Sequence, residues 1–217
     1  MKPKLISFKI CPFVQRSVIV LEEKGADYDI EYIDIQDPPE WFKELSPLGK
    51  VPILQVGDAV LFESAVIMEY LDETHPPSLH PADPLQKAGN RAWTEYASEC
   101  LFAQHGMITA DSAETFEEKK GALTEKLQRL EGLVAGPFFN GGEMALVDVA
   151  YAPLFMRMDL LEQWFGLNLL EGLPKLAAWR GKLLERESVR TSVVADFPDL
   201  FRTFIRNMGP YLAGKLE

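Results

Sequence analysis

Residues 74–84 hold four prolines, Pro76, Pro77, Pro81 and Pro84, and the hydrophobic pattern differs in kind on either side of them. Proline offers no amide donor and pushes the residue before it out of helical backbone, so neither a helix nor a strand ladder runs through such a stretch. It divides the chain into a first domain at 1–75, a linker at 76–84 and a second domain at 85–217.

Before the break, short runs alternate. Leu5–Ile10 is mostly apolar and reads as a strand. Pro12 then opens a helical pattern carried by Val14, Val18 and Leu21 and closed by Gly25. Tyr28–Ile35 alternates as a second strand, and Pro38-Pro39 leads into a short helix, Glu40–Leu45. Val51–Val56 and Ala59–Phe62 pair as a hairpin about Gly57-Asp58, and Ser64 caps a helix carrying Ile67, Tyr70 and Leu71. The order βαβαββα describes an α/β domain. After the break every pattern is helical: Leu85–Met107, Thr115–Leu133 with Thr115 and Glu118 as a capping box, Leu146–Leu161, and Pro174–Leu184. Leu146–Leu161 is richly apolar and therefore central. The second domain is all-α.

Charge narrows the partners. Lys and Arg number 22 against 33 Asp and Glu, a formal net charge of −11. Such a surface repels nucleic-acid phosphates and offers no polybasic patch to a membrane. The opening MKPKLISFKI lacks the apolar core of a signal peptide, and no apolar run is long enough to span a bilayer. Two cysteines make no disulfide framework, so a reducing, cytoplasmic setting is expected. His75 and His80 fall in the proline-rich stretch, where they read as solvated, and His105 lies near the end of a helix. No metal-ligand spacing appears, so no metal is expected.

Cys11 is the sharpest chemical feature. It follows a strand and precedes Pro12, the first residue of a helix. The unpaired amides of a first helical turn face such a sulfur and favour its thiolate, so a pKa below that of a free thiol is expected. Arg16, one turn on, adds a positive charge if it faces the sulfur. A dithiol motif would place its second cysteine at residue 14, where Val14 stands. A mixed disulfide at Cys11 therefore needs an external thiol for its release. Cys100, on an apolar helical stripe, reads as core.

Two further pairs complete the candidate site. Pro52, following Val51, reads as the edge-type start of a strand, and a cis bond there would turn the Val51 backbone outward to pair with an extended peptide. Ser64 at a helix start, with Glu63 before it, makes a nest for a carboxylate beside an acceptor for an ammonium, a match to an α-amino acid head group.

These residues resemble a known family. Cys11-Pro12-Phe13-Val14-Gln15-Arg16, Pro39-Glu40-Trp41-Phe42, Pro47-Leu48-Gly49-Lys50-Val51-Pro52-Ile53-Leu54, Glu63-Ser64 and Glu69-Tyr70-Leu71 resemble the cytosolic glutathione transferases, most closely their cysteine-type, omega-like branch with its thiol transferase and dehydroascorbate reductase relatives. The resemblance implies a thioredoxin-like first domain, glutathione as co-substrate and a homodimer. It implies Cys11 as catalytic cysteine, Val51 and the cis Pro52 as partners of the cysteinyl segment, Glu63 and Ser64 as binders of the γ-glutamyl end, and Phe13 as a wall. The helical domain would add a second, more open pocket, with Trp93 and Tyr96 as candidate lining. Two positions depart from the pattern. Pro38 stands where relatives carry a lysine for the glycyl carboxylate, leaving Lys50 or Lys43 to replace it. Ala145 stands where a Ser or Thr caps the helix of Asp148.

Three activities fit this reading: thiol transfer or reduction through a mixed disulfide, isomerisation or conjugation with glutathione's own thiol as nucleophile, and a non-catalytic scaffold that holds a protein partner. Retention of Cys11 counts against the last.

Overall fold

A computed structural model describes residues 2–216. The first half contains β1 (Lys4–Ser7), α1 (Pro12–Glu23), β2 (Asp29–Tyr32), α2 (Glu40–Leu45), β3 (Ile53–Val56), β4 (Ala59–Phe62) and α3 (Ser64–Thr74). The sheet order is β2-β1-β3-β4, with β1 and β2 parallel and the other pairs antiparallel. Helices follow: α4 (Pro84–Ile108), α5 (Ala113–Glu131), α6 (Leu146–Phe165), α7 (Pro174–Glu185), α8 (Glu187–Arg190), α9 (Phe197–Met208) and α10 (Pro210–Ala213). A mixed α/β unit of order βαβαββα followed by an all-α unit is the expected fold class.

The strands are shorter than the sequence pattern suggests. β1 stops at Ser7 because the chain turns there, with Cys11 N–H donating to Phe8 O at 2.9 Å. β2 is correspondingly limited to the four residues that β1 can pair. β3 starts after Pro52, and it is an interior strand between β1 and β4. Pro52 therefore stands just outside the ladder, so the edge reading is corrected: the missing donor is harmless because no ladder bond is due there.

Helix α1 joins the two halves. Every residue from Val14 to Leu21 is buried, including Gln15, Arg16 and Ser17. A helix covered on all sides lies inside the molecule. It packs on α3 in its own half and on α6 and α8 in the other. Its polar residues reach across: Gln15 Nε2 donates to Ser192 Oγ at 3.0 Å, and Arg16 Nε donates to Ala150 O at 3.1 Å. Helix α6 is central as its composition implies, buried at thirteen positions between Leu146 and Leu161.

The segment between the halves is pinned. Lys24 Nζ lies 2.7 Å from Asp72 Oδ1 with both side chains almost fully buried, and it also donates to Pro77 O. Asp72 accepts from Ser78 Oγ and Leu79 N–H, each at 2.7 Å. His80 is not solvated as expected. Its Nε2 meets Glu69 Oε1 at 2.7 Å with 3% of the side chain exposed.

One helix start, that of α5, differs from its expected cap, and acidic side chains fix the starts of α4 and α6. Asp83 caps α4, accepting from Gln86 N–H at 2.7 Å. Ser112, not Thr115, caps α5, its Oγ accepting from Thr115 N–H at 3.1 Å. Asp148 lies 0% exposed at the start of α6. It accepts from Ala145 N–H and Phe139 N–H, each at 2.8 Å, and from Trp179 Nε1 at 2.6 Å. Ala145 has no acceptor to return, so the cap is one-directional. The carboxylate compensates by tying three elements together. At the far end Gly209 lets α9 and α10 close against α4, because a Cβ there would overlap Ile108 O.

Candidate active site at the domain boundary

Cys11 occupies the N-cap position of α1 in extended backbone, with Pro12 at the first helical position. The residue as a whole is partly exposed, although its thiol is set deep among its neighbours. The sulfur opens on a cavity of about 290 Å³ walled by Phe8, Ile10, Leu101, Phe102, Phe201 and Phe204, with His105 and Arg157 at its polar edge. Beside it runs a cleft of about 650 Å³ that collects Lys50, Val51, Pro52, Glu63 and Ser64. Phe13 and Phe102 line both, their ring centroids 5.4 Å apart. Both hollows draw part of their lining from the helical half, the smaller from α4, α6 and α9 and the larger from α4 alone.

The local chain explains the cleft. Val51-Pro52 is a cis peptide, and the loop before it is fixed by Ser46, whose Oγ accepts from Lys50 N–H at 2.9 Å and donates to Lys50 O at 3.0 Å. Glu63 takes φ 70° and ψ 117°, the only positive φ on a non-glycine among the described residues. Such a conformation costs about 1–3 kcal/mol and clusters at sites where backbone direction matters. Ser64 is the first residue of α3, not its cap; the cap position belongs to Glu63, whose side chain makes no cap bond. Ser64 Oγ instead accepts from Arg16 Nη1 at 3.3 Å. With its lone pair so engaged, the hydroxyl proton is free to point at an anion in the cleft.

Lys50 is exposed and makes no ion pair among the described residues, whereas Lys43 is paired with Glu40 at 2.9 Å and lies outside the cleft lining. Tyr96 lines the cleft. Trp93 does not: it packs edge-on against Tyr96 at 5.2 Å and tilted against Phe139 at 6.3 Å, and its carbonyl accepts from Tyr151 Oη.

The electrostatics correct one expectation. Burial pushes the Cys11 thiol above its ordinary range, against the amides of Val14 and Phe13 and the charges of Arg157 and Arg16, all of which pull it down. The helix start favours the thiolate as the motif suggests, but the dense apolar surroundings outweigh it. Arg16 does face inward: it is buried, its Nη1 also donates to Ser98 Oγ at 3.0 Å, and its guanidinium lies 5.1 Å from the Phe13 ring. Burial lowers His105, leaving a neutral imidazole beside the cavity at neutral pH. Cys100 is 0% exposed, and its thiol is pushed up to about 12 by burial. Arg157 is the residue that sequence reasoning missed. It lies on α6, and no motif around it announces that its side chain reaches the Cys11 loop.

Among the described residues no cluster of three His, Cys, Asp or Glu side chains is placed to hold a metal, and no helix is long and apolar enough to cross a membrane.

Comparison with known proteins agrees with this arrangement. Residues 10–74 match the family "Glutathione S-transferase, N-terminal domain" and residues 113–182 match "Glutathione S-transferase, C-terminal domain". Glutathione S-transferase omega-1 of Rattus norvegicus is 34% identical over 188 residues, covering 84% of this chain and 76% of the relative. The rice protein "Probable glutathione S-transferase DHAR1, cytosolic" is 32% identical over 183 residues, 82% of this chain and 81% of its own. Among solved structures, glutathione transferase Omega 3C from Trametes versicolor superposes with a TM-score of 0.80 at 28% identity, covering 88% of this chain and 89% of that one. A glutathione-dependent enzyme is what a cysteine at a helix start, a cis proline and a Glu-Ser pair around one cleft describe, and the chain belongs to the cytosolic glutathione transferase superfamily, on its omega-like, cysteine-type branch.

Proposed function

We propose that the chain catalyses glutathione-dependent thiol transfer and dehydroascorbate-type reduction through a mixed disulfide at Cys11. The observation that carries the reading is the placement of one cavity-lining cysteine at the start of α1, where an apolar cavity meets a cleft rich in groups suited to a γ-glutamyl peptide. The Cys11 thiolate attacks the glutathionyl sulfur of a mixed disulfide R–S–SG, the S–S bond breaks, and the departing thiolate RS⁻ takes a proton. A second glutathione, as thiolate, attacks Cys11–S–SG and leaves oxidised glutathione and free Cys11. The net change is R–S–SG plus GSH to RSH plus GSSG. With dehydroascorbate as acceptor, two glutathione molecules supply the two electrons and two protons that give ascorbate. Val14 in place of a second cysteine makes the external thiol necessary.

In this reading Ser64, backed by the Arg16 cation, holds the α-carboxylate of glutathione, and Glu63 accepts from its ammonium. Val51 pairs with the cysteinyl segment through its backbone, Pro52 sets that backbone's direction, and Phe13 closes the inner wall. Lys50, left unpaired where Lys43 is engaged, receives the glycyl carboxylate in place of the residue that Pro38 replaces. The domains divide as 1–75, 76–84 and 85–217, the acceptor is a small disulfide or electrophile, and the active unit is a cytoplasmic homodimer with no nucleic-acid or membrane partner. The net charge of −11 supports the last point. The test is turnover of a small glutathione mixed disulfide by wild type and C11S. Loss of turnover in C11S is expected, and equal rates would overturn the proposal.

A further inference from the structure

Two guanidinium groups are buried around Cys11, and neither has a carboxylate within ion-pair distance among the described residues. A cation taken out of water without an anion is held only by a full set of hydrogen bonds or by a charge that arrives later. Arg16 retains an unpartnered Nη2. Arg157, 4% exposed, is bonded on both prongs: Nη1 donates to Gln15 Oε1 and Pro153 O, each at 2.8 Å, and Nη2 donates to Ile10 O at 2.7 Å. Its guanidinium also lies 5.1 Å from the Phe197 ring and 5.8 Å from the Phe201 ring. Ile10 O belongs to the peptide unit whose nitrogen is that of Cys11. A residue of the helical half thus grips the backbone immediately ahead of the sulfur, 147 positions away in sequence from the group it grips. Gln15, the other anchor, is fixed in turn by Ser192 at 3.0 Å.

We propose that Arg157 is a positioning residue for Cys11. It locks the 8–11 turn through Ile10 O, and it supplies from the helical half the positive charge that balances the sulfur while it is a thiolate. The proposal rests on the reading of Cys11 as nucleophile. Arg157 carries no counter-ion of its own, so the charge that appears at the sulfur during attack and release is the one it is placed to meet. The mutual influence of the two groups agrees: burial brings Arg157 down to about 10 while the Cys11 charge pulls it up, and Arg157 in turn pulls the thiol down. The other charge acting on the sulfur is Arg16 from α1; His105 from α4 lines the same cavity, Lys9 of the preceding turn lines a separate hollow, and α9 presents only the rings of Phe201 and Phe204 to the cavity.

The test follows the pH dependence of Cys11 alkylation by iodoacetamide, together with kcat and KM for glutathione, in wild type, C11S, R157M and R157K, with folding checked by urea midpoint. In R157M the alkylation midpoint should move up by about one pH unit, a roughly ten-fold slower reaction at neutral pH, with KM for glutathione within two-fold of wild type. R157K keeps the charge but loses the planar two-pronged grip, so its midpoint should return towards wild type while kcat stays several-fold low. A role confined to packing would move neither the midpoint nor the kcat-to-KM split. Folded R157M with the wild-type alkylation profile overturns the proposal. So does an unfolded R157M accompanied by R157K indistinguishable from wild type in kcat. If C11S itself turns over normally, the failure lies with the nucleophile assignment. If C11S is inactive and the Arg157 variants match wild type, only this inference falls.

Discussion

Phe13 and Phe102 meet with ring centroids 5.4 Å apart, at the point where the cavity holding Cys11 joins the cleft holding Glu63 and Ser64. Phe13 comes from α1 and Phe102 from α4, so the two halves of the molecule share the wall between the thiol and the peptide cleft. Phe102 is 59% exposed, so it contributes little to folding. F102A should change the urea midpoint by the equivalent of no more than about 0.5 kcal/mol. It should raise kcat/KM for bulky aromatic mixed disulfides a few-fold relative to small aliphatic ones. Steady-state kinetics on a pair of such substrates checks this.

Lys50 and Lys43 separate cleanly. Lys50 lines the cleft and is free of ion pairs among the described residues, and Lys43 is engaged by Glu40. An exposed charge-assisted contact is worth about 1 kcal/mol, or roughly five-fold in affinity. K50A should raise KM for glutathione by about that factor, with K43A unchanged. Equal effects of the two substitutions on KM would count against Lys50.

Asp148 holds Phe139 N–H, Ala145 N–H and Trp179 Nε1 with its two oxygens. Replacing one oxygen by an amide nitrogen sets donor against donor in a buried place. D148N should cost about 2–4 kcal/mol in urea unfolding, without moving KM for glutathione in the protein that remains folded.

The Lys24–Asp72 pair gives a pH prediction. Burial would raise Asp72, but Lys24, Ser78 and the Leu79 amide prevail and hold its carboxyl below the ordinary range. The unfolded carboxyl has a pKa of about 3.9. A depressed folded value means that stability is present above the unfolded pKa and is lost as pH falls through the lower folded one. D72N should cost about 3 kcal/mol at neutral pH, since it leaves Lys24 buried without its partner. It should also flatten the acid limb of the stability profile. Urea midpoints across pH 2–7 measure both effects.

The readable part of this molecule is the part decided locally. The prolines between 76 and 84 announce the change from strands to helices, and Cys11-Pro12 announces a thiol at a helix start, because each depends on a few adjacent residues. Boundaries with two equivalent local solutions were misplaced: Ser112 and Thr115 are both good caps, and the choice of Ser112 follows from its bond to Thr115 N–H. Ser64 carries the right side chain for a cap, yet with φ 70° at Glu63 the helix starts one residue earlier and the cap position falls to Glu63. What the sequence pattern could not contain is burial imposed from afar. The apolar lining from α4 and α9 lifts the Cys11 thiol, and Arg157 reaches the Cys11 turn from the other half of the chain. The effect of such contacts on a local motif is set by packing, which periodicity does not encode.

The conjugation alternative, with glutathione's own thiol as nucleophile, draws support from the burial that lifts Cys11. It predicts turnover of 1-chloro-2,4-dinitrobenzene that survives C11S. The mixed-disulfide account is tested most directly by peptide mass mapping after exposure to oxidised glutathione. It predicts one glutathionyl group on Cys11, removed by added glutathione, and none on the fully buried Cys100. An unmodified Cys11 in protein that still turns over mixed disulfides would contradict it.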